Sequence, residues 1–311
     1  MFRKKFDIEN FGAEFWANAA GSDARDLFSD PSRLKLHRSD GLFPIHMAAY
    51  YGSAEVLEAV VTAGADPNQR TEILTSRLFE HSLTPMFVAM YSKHHKPTSK
   101  LRVLLEAGAD TEAVNHVEMT PLHCCAQSQY FANHSFEFAK QLIAAGSNLD
   151  SRDKGGYTPL ISSIDRDDCN IHLTLSLLNA GASPNIATKH ETTALDQSID
   201  KGSHETFMLL LRRGANPNAV NNGSPALHRL LPHMPDSYVL PLLEAGADPL
   251  MKDSAGLTAI EIIDERIIRN RSEINQIQKD RPHEKSLLQS ISQDLEWLES
   301  RRNFLGEYFD L

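Results

Sequence analysis

TPLHCCA at residues 120–126, followed by FEFAKQLIAAGSN at residues 136–148, is the stretch that decides the fold. Thr120 can accept a hydrogen bond from an orphan backbone N–H and so start a helix, and Pro121 sits at the first helical position, where its missing N–H is not needed. Cys125 and Ala126 are small enough to let that helix approach its neighbours closely. A second helix follows with apolar residues at helical spacing. Gly146 can end it in the left-handed conformation, and Asn148 turns the chain onward. One such helix pair cannot bury its own apolar face, so it calls for neighbours of the same kind.

The neighbours are present on both sides. AGADPN (63–68), AGAD (107–110), AGASPN (180–185), RGANPN (213–218) and AGADP (245–249) repeat the end of the second helix, and their glycines, with Gly146, are separated by 44, 38, 35, 33 and 32 residues. In phase with them run FPIHMAA (43–49), TPMFVAM (84–90), TPLISSI (158–164), TALDQSI (193–199), PALHRLL (225–231) and TAIEII (258–263). Thr158, Thr193 and Thr258 take the capping position of Thr120.

These residues resemble the ankyrin-repeat family, whose unit is roughly 33 residues long with a TPLH signature. The resemblance covers residues 38–263 as seven units, the last incomplete. It implies an all-α solenoid of about seven helix-turn-helix units, with residues 1–37 as N-terminal capping helices in a degenerate repeat and residues 264–311 as a C-terminal helical cap. In that cap, Ile260, Ile263, Ile267, Ile274 and Ile277 make one helical stripe and Leu287, Ile291, Leu295 and Leu298 a second, which reads as a long antiparallel hairpin.

Spacing also locates insertions, since the first two glycine intervals exceed a roughly 33-residue unit. The extra residues fall at 71–81, 93–100 and 129–135, where binding loops and tolerated drift are both open readings.

Bulk chemistry narrows the partners. With 31 basic and 41 acidic side chains the formal charge is -10, which repels phosphate backbones and anionic lipid, so neither nucleic acid nor a membrane is expected. Three cysteines without CxxC spacing point to a reducing, cytoplasmic setting. Arg3, Lys4 and Lys5 are followed by Asp7, Glu9 and Glu14 rather than by the apolar core of a signal peptide.

An enzyme is not expected, and no catalytic residue, cofactor or metal ligand is assigned. Phosphate-binding and hydrolase signatures are absent from the sequence. The resemblance implies a structural hydrogen bond for His46, His123 and His228, and Cys124 and Cys125 read as small core residues. The alternative is a metal-dependent or novel enzyme with chemistry in the inserted loops, around His81, His94 and His95.

The resemblance instead implies that the chain binds another protein, as an adaptor, inhibitor or effector, through the groove and fingertip turns of its repeats. The residues expected there are Leu42, Tyr50, Tyr51, Leu83, Tyr91, Met119, Gln127, Tyr157, Asp165 and Arg166. Tyr50, Tyr51, Tyr91 and Tyr157 concentrate in the first four units, and tyrosine supplies a large ring at low rotamer cost. Leu42, Leu83 and Met119 are expected beside them as an exposed apolar patch. The chain reads as a monomer, with dimerisation through the C-terminal helices as the alternative.

Overall fold

Capped helix pairs recur along the whole chain in the computed structural model, which describes residues 11–72, 82–92, 96–127, 134–164, 171–230, 236–281 and 283–309. The chain divides into two compact units, Met1–Ser183 and Pro184–Leu311.

The first unit holds α1 (Ala13–Asn18), α2 (Gly21–Leu27), a 3-10 turn at Pro31–Lys35, α3 (Pro44–Tyr51), α4 (Ala54–Thr62), α5 (Pro85–Met90), α6 (Pro97–Glu106), α7 (Pro121–Ala126), α8 (Ser135–Ala144), α9 (Pro159–Ile164) and α10 (Ile171–Ala180). Helices α2, α4, α6, α8 and α10 pack in succession as one layer. In the other layer α1 lies on α3, α3 on α5, and α7 on α9. Trp16 of α1 is fully buried, with its ring stacked at 5.9 Å on Phe28.

The second unit holds α11 (Ala194–Asp200), α12 (His204–Arg212), a hairpin of β1 (Val220–Asn221) with β2 (Ser224–Pro225), α13 (Ala226–Leu230), α14 (Asp236–Glu244), α15 (Ala259–Asp280) and α16 (Lys285–Phe309). Helix α12 packs on α14 and α13 on α15, while α15 and α16 run against each other. Ile263, Ile267, Ile277, Leu298 and Leu305 are buried within this last pair. Asn270 donates to Asp294 at 2.8 Å and Arg271 meets Glu299 at 2.6 Å.

The helix starts follow from the threonines. Thr120, Thr158, Thr193 and Thr258 each accept, through Oγ1, the backbone N–H three residues on, at 3.5, 3.3, 3.3 and 3.3 Å. The ends follow from glycine: Gly146 and Gly214 take φ of 83° and 81°, which a Cβ would make costly.

Between helix pairs the chain makes a narrow turn closed by a short polar side chain. Asp153 Oδ1 accepts from Gly155 N and Tyr157 N, both at 2.9 Å, while Asp153 N donates to Tyr157 O at 2.9 Å. Asn115 with Met119 and Thr188 with Thr192 close their turns in the same way. Neighbouring turns then join edge to edge, Glu72 N donating to Gly41 O at 3.1 Å and Lys154 N to Val117 O at 3.0 Å. In two turns, Glu118 (φ 62°) and Glu191 (φ 63°) occupy the left-handed position that Gly156 fills elsewhere.

Three kinds of side chain fasten one repeat to the next. Asn185 Nδ2 donates to Gly214 O at 3.0 Å and its Oδ1 accepts Asn216 N at 2.7 Å; Asn218 repeats this with Gly246 O and Asp248 N. Asn68 makes the same pair of bonds to Gly108 and Asp110. The TPLH histidines make the second fastening: His46 Nε2 lies 2.9 Å from Gln69 O, His123 Nε2 2.9 Å from Tyr157 O, and His228 Nε2 3.1 Å from Leu257 O. In the third, Asp196 stands at the histidine position and pairs with Arg229 of the following repeat.

Candidate protein-binding face

The sequence pattern places Tyr50 and Tyr51 at the carboxyl end of α3, and the structure sets them edge to face, with ring centroids 4.6 Å apart and planes at 84°. Both are half-buried, as is Tyr91, which caps α5 at the corresponding place. Burial pushes the Tyr51 phenol above its usual range; Tyr50 and Asp40 add to the rise, and Arg38 opposes it. Arg38 and Asp40 lie in the adjoining turn, 3.5 Å from each other, so the ring pair sits against a polar rim. Such a pair of rings, each with a polar tip, offers both apolar area and hydrogen bonding to a protein surface.

Gln127, at the end of α7, is exposed, and Tyr157 is half-buried in the turn ahead of α9. Asp165 and Arg166 lie outside the described residues, as do residues 73–81, 93–95 and 128–133, which include most of the three inserted segments.

Leu42, Leu83 and Met119 require a correction: they are only 4, 7 and 8% exposed and form no surface patch. All three stand within the bonded turns. The backbone of each is tied to the residue that opens its turn, Leu42 O accepting from Arg38 N, Leu83 O from Thr71 N and Met119 O from Asn115 N. Their side chains belong to the buried core rather than to the face.

The described ends of the first insertion close on each other. Thr71 N donates to Leu83 O at 2.9 Å, and Leu83 N donates to Thr71 Oγ1 at 3.0 Å. That is the bonding of Asp153 with Tyr157, but across twelve residues instead of four.

The buried histidines and cysteines of the first helices are committed to structure. His46 Nδ1 accepts from Phe43 N at 3.3 Å while Nε2 faces a carbonyl, so the ring is a neutral Nε2–H tautomer; burial pushes its pKa down to about 4. His123 makes the same two contacts, and burial lowers it too. At His228 the residue in the capping place is Pro225, which has no N–H to give, and Nδ1 has no partner among the described residues. Burial pushes the Cys124 thiol up to about 12 and Cys125 well above its ordinary value, so neither supplies a thiolate near neutrality. Among the described residues no group of three or more metal-ligating side chains comes together. Likewise, no described helix is long and apolar enough to cross a membrane.

Two features escaped sequence reasoning. The asparagines of AGADPN and its relatives were legible as turn formers but not as bridges to the next repeat. Lys100, in α6, is completely buried although its charge suggested a loop residue. Its signal was available: counted back from the glycine ending each second helix, Lys100 falls where the other repeats have Val56, Phe138, Leu173, Thr206 and Tyr238.

The layered helix pairs, capped starts and bonded turns define a repeat scaffold. The chain belongs to the ankyrin-repeat family: the model described as ankyrin repeats (3 copies) matches residues 45–134, 86–188 and 129–221. Over 244 residues the chain is 28% identical to the E3 ubiquitin-protein ligase KEG of Arabidopsis thaliana, covering 74% of this chain and 14% of that protein. Identity to the mitochondrial disaggregase of Bos taurus is 28% over 186 residues, 57% of this chain and 23% of the relative. The chain thus spans less than a quarter of either relative. In fold, it is similar to the crystal structure of the ankyrin repeat domain of Bcl-3, described as a unique member of the IkappaB protein family, with a TM-score of 0.58 and 24% identity over 72% of this chain and 94% of that one.

Proposed function

We propose that the chain is a protein-binding scaffold whose partner rests on the face formed by the first four repeats. Tyr50, Tyr51 and Tyr91 supply the anchor, and Gln127, Tyr157, Asp165 and Arg166 extend it. One observation carries the reading: Tyr50 and Tyr91, both half-buried, stand at the same place in two consecutive repeats, and half-buried Tyr51 meets Tyr50 edge to face. Aromatic side chains clustered on a rigid element are the usual anchors of a protein interface.

The relatives support a binding role over an enzymatic one for this stretch. A ubiquitin ligase and a disaggregase differ in activity by name, yet both contain a segment similar to this repeat array. The array is then what is shared, and its work is recognition in the service of whatever else a protein carries. Two free cysteines buried in α7 fit a reducing, cytoplasmic setting.

Immobilised chain and the Tyr50→Ala/Tyr51→Ala/Tyr91→Ala variant, exposed to the same lysate and compared by quantitative mass spectrometry, test the face. Loss of about 2 kcal/mol per anchor weakens binding roughly 30-fold for each, so the specific proteins retained by the native chain should disappear. The same proteins retained equally by a folded triple variant would refute the site.

A further inference from the structure

Ala49 and Tyr50 are among the last residues of α3, and their carbonyl oxygens have no helical N–H left to meet. The next repeat fills the need. Lys100 Nζ, on α6, donates to Ala49 O at 2.9 Å, to Tyr50 O at 3.2 Å and to Ser92 Oγ at 2.8 Å. Ser92, just beyond α5, donates in turn to Tyr50 O. All three ammonium hydrogens are thereby used, and a positive charge rests at the negative end of α3.

A core lysine is an expensive choice, because burying a charge costs several kcal/mol unless it is fully bonded. The equivalent residues Val56, Phe138, Leu173, Thr206 and Tyr238 are all buried and all uncharged. The exception therefore occurs once among them, and it occurs directly behind Tyr50 and Tyr51.

We propose that Lys100 is a positioning residue for the binding face: reaching across from the second repeat, it closes the carboxyl end of α3 and fixes the pose of the Tyr50–Tyr51 pair that a partner protein reads. This rests on the binding reading above. Lys100 itself keeps its three contacts in either protonation state, which matters because burial pushes the amine down to about 7. An ammonium donates three times, as described. A neutral amine donates to the two carbonyls and accepts the Ser92 hydroxyl proton on its lone pair, so the Ser92 bond to Tyr50 O is the one given up. The backbone beside Tyr50 is held by Lys100 throughout.

The test needs no partner. The full chain, with its seven tyrosines replaced by 3-fluorotyrosine, is studied by 19F NMR, the Tyr50 and Tyr51 signals being assigned with Tyr50→Phe and Tyr51→Phe. In Lys100→Met, which keeps the length of the side chain and removes the donors, the Tyr50 and Tyr51 signals should shift or split while those of Tyr157 and Tyr238 stay in place. Ser92→Ala should move Tyr50 in the same direction by less. A folded Lys100→Met chain with Tyr50 and Tyr51 unmoved, or with every tyrosine moved alike, would overturn the proposal. If Lys100→Met does not fold, Ser92→Ala decides, and an unmoved Tyr50 signal there overturns it. Failure of the lysate experiment alone would remove the binding reading and leave these spectra as they are, so the two failures can be told apart.

Discussion

Acid should loosen the first repeats through His46. Its ring is completely buried as a neutral acceptor-donor, with Nδ1 receiving the Phe43 N–H and Nε2–H given to Gln69 O. A proton added to Nδ1 would point at that N–H and destroy the capping bond. The folded pKa is about 4 and the ordinary value 6.5. Because the folded value is depressed, the associated stability is whole above pH 6.5 and is lost as pH falls toward 4, when the unfolded chain binds a proton that the folded chain refuses. Between pH 7 and pH 5 the loss is about 2 kcal/mol, rising to about 3 kcal/mol near pH 4. Urea unfolding followed by Trp16 fluorescence reads this region, since α1 lies against α3; replacing Trp297 by Phe removes the other tryptophan. A local reporter is needed because repeat arrays do not always unfold as one unit. The comparison is with His46→Gln, which does not titrate: the native drop from pH 7 to 5 should exceed the variant's by about 2 kcal/mol. Equal slopes for the two proteins would refute the assignment of a buried neutral imidazole.

Two further outcomes concern the turns and the fifth repeat. Glu118→Gly should raise stability by about 1 kcal/mol in thermal unfolding, because it relieves a left-handed backbone that glycine adopts freely in the matching turns; a lower melting temperature would contradict that account. Arg229→Ala should cost about 3 kcal/mol by leaving the buried Asp196 carboxylate without its cation, and Asp196→Asn added to it should recover part of the loss in urea titrations; additive costs would show that the pair is uncoupled. Burial already raises Asp196 and Arg229 pulls it back, so without the arginine the folded chain takes up this proton more readily than the unfolded one, and part of the lost stability should return on acidification from neutral pH.

Repeat, helix starts and helix ends were legible because each depends on one residue acting locally, with threonine at the cap, glycine after the last turn and a fixed interval between them. Exposure was legible for Tyr50, Tyr51 and Tyr91, which follow the small pair of each first helix and remain partly open. Leu42, Leu83 and Met119 are buried against expectation, while Tyr157 at the same turn position stays half-buried, so position in the turn alone does not reveal burial. Lys100 was hidden for a different reason. Its charge is satisfied by carbonyls some fifty residues earlier in the chain, and no local pattern encodes a bond across that separation. The Asp196–Arg229 pair shares this character, with 33 residues between partners.

The closure of Thr71 onto Leu83 has an implication for engineering. Those two residues act as a clasp, and Glu72 N, just inside it, donates to Gly41 O of the neighbouring turn. Loop entropy grows only with the logarithm of length, so enlarging a four-residue span to twelve costs about 1 kcal/mol. A foreign peptide of similar length spliced between Glu72 and Ser82 should therefore cost little in loop entropy, with the Thr71–Leu83 bonds holding its two ends.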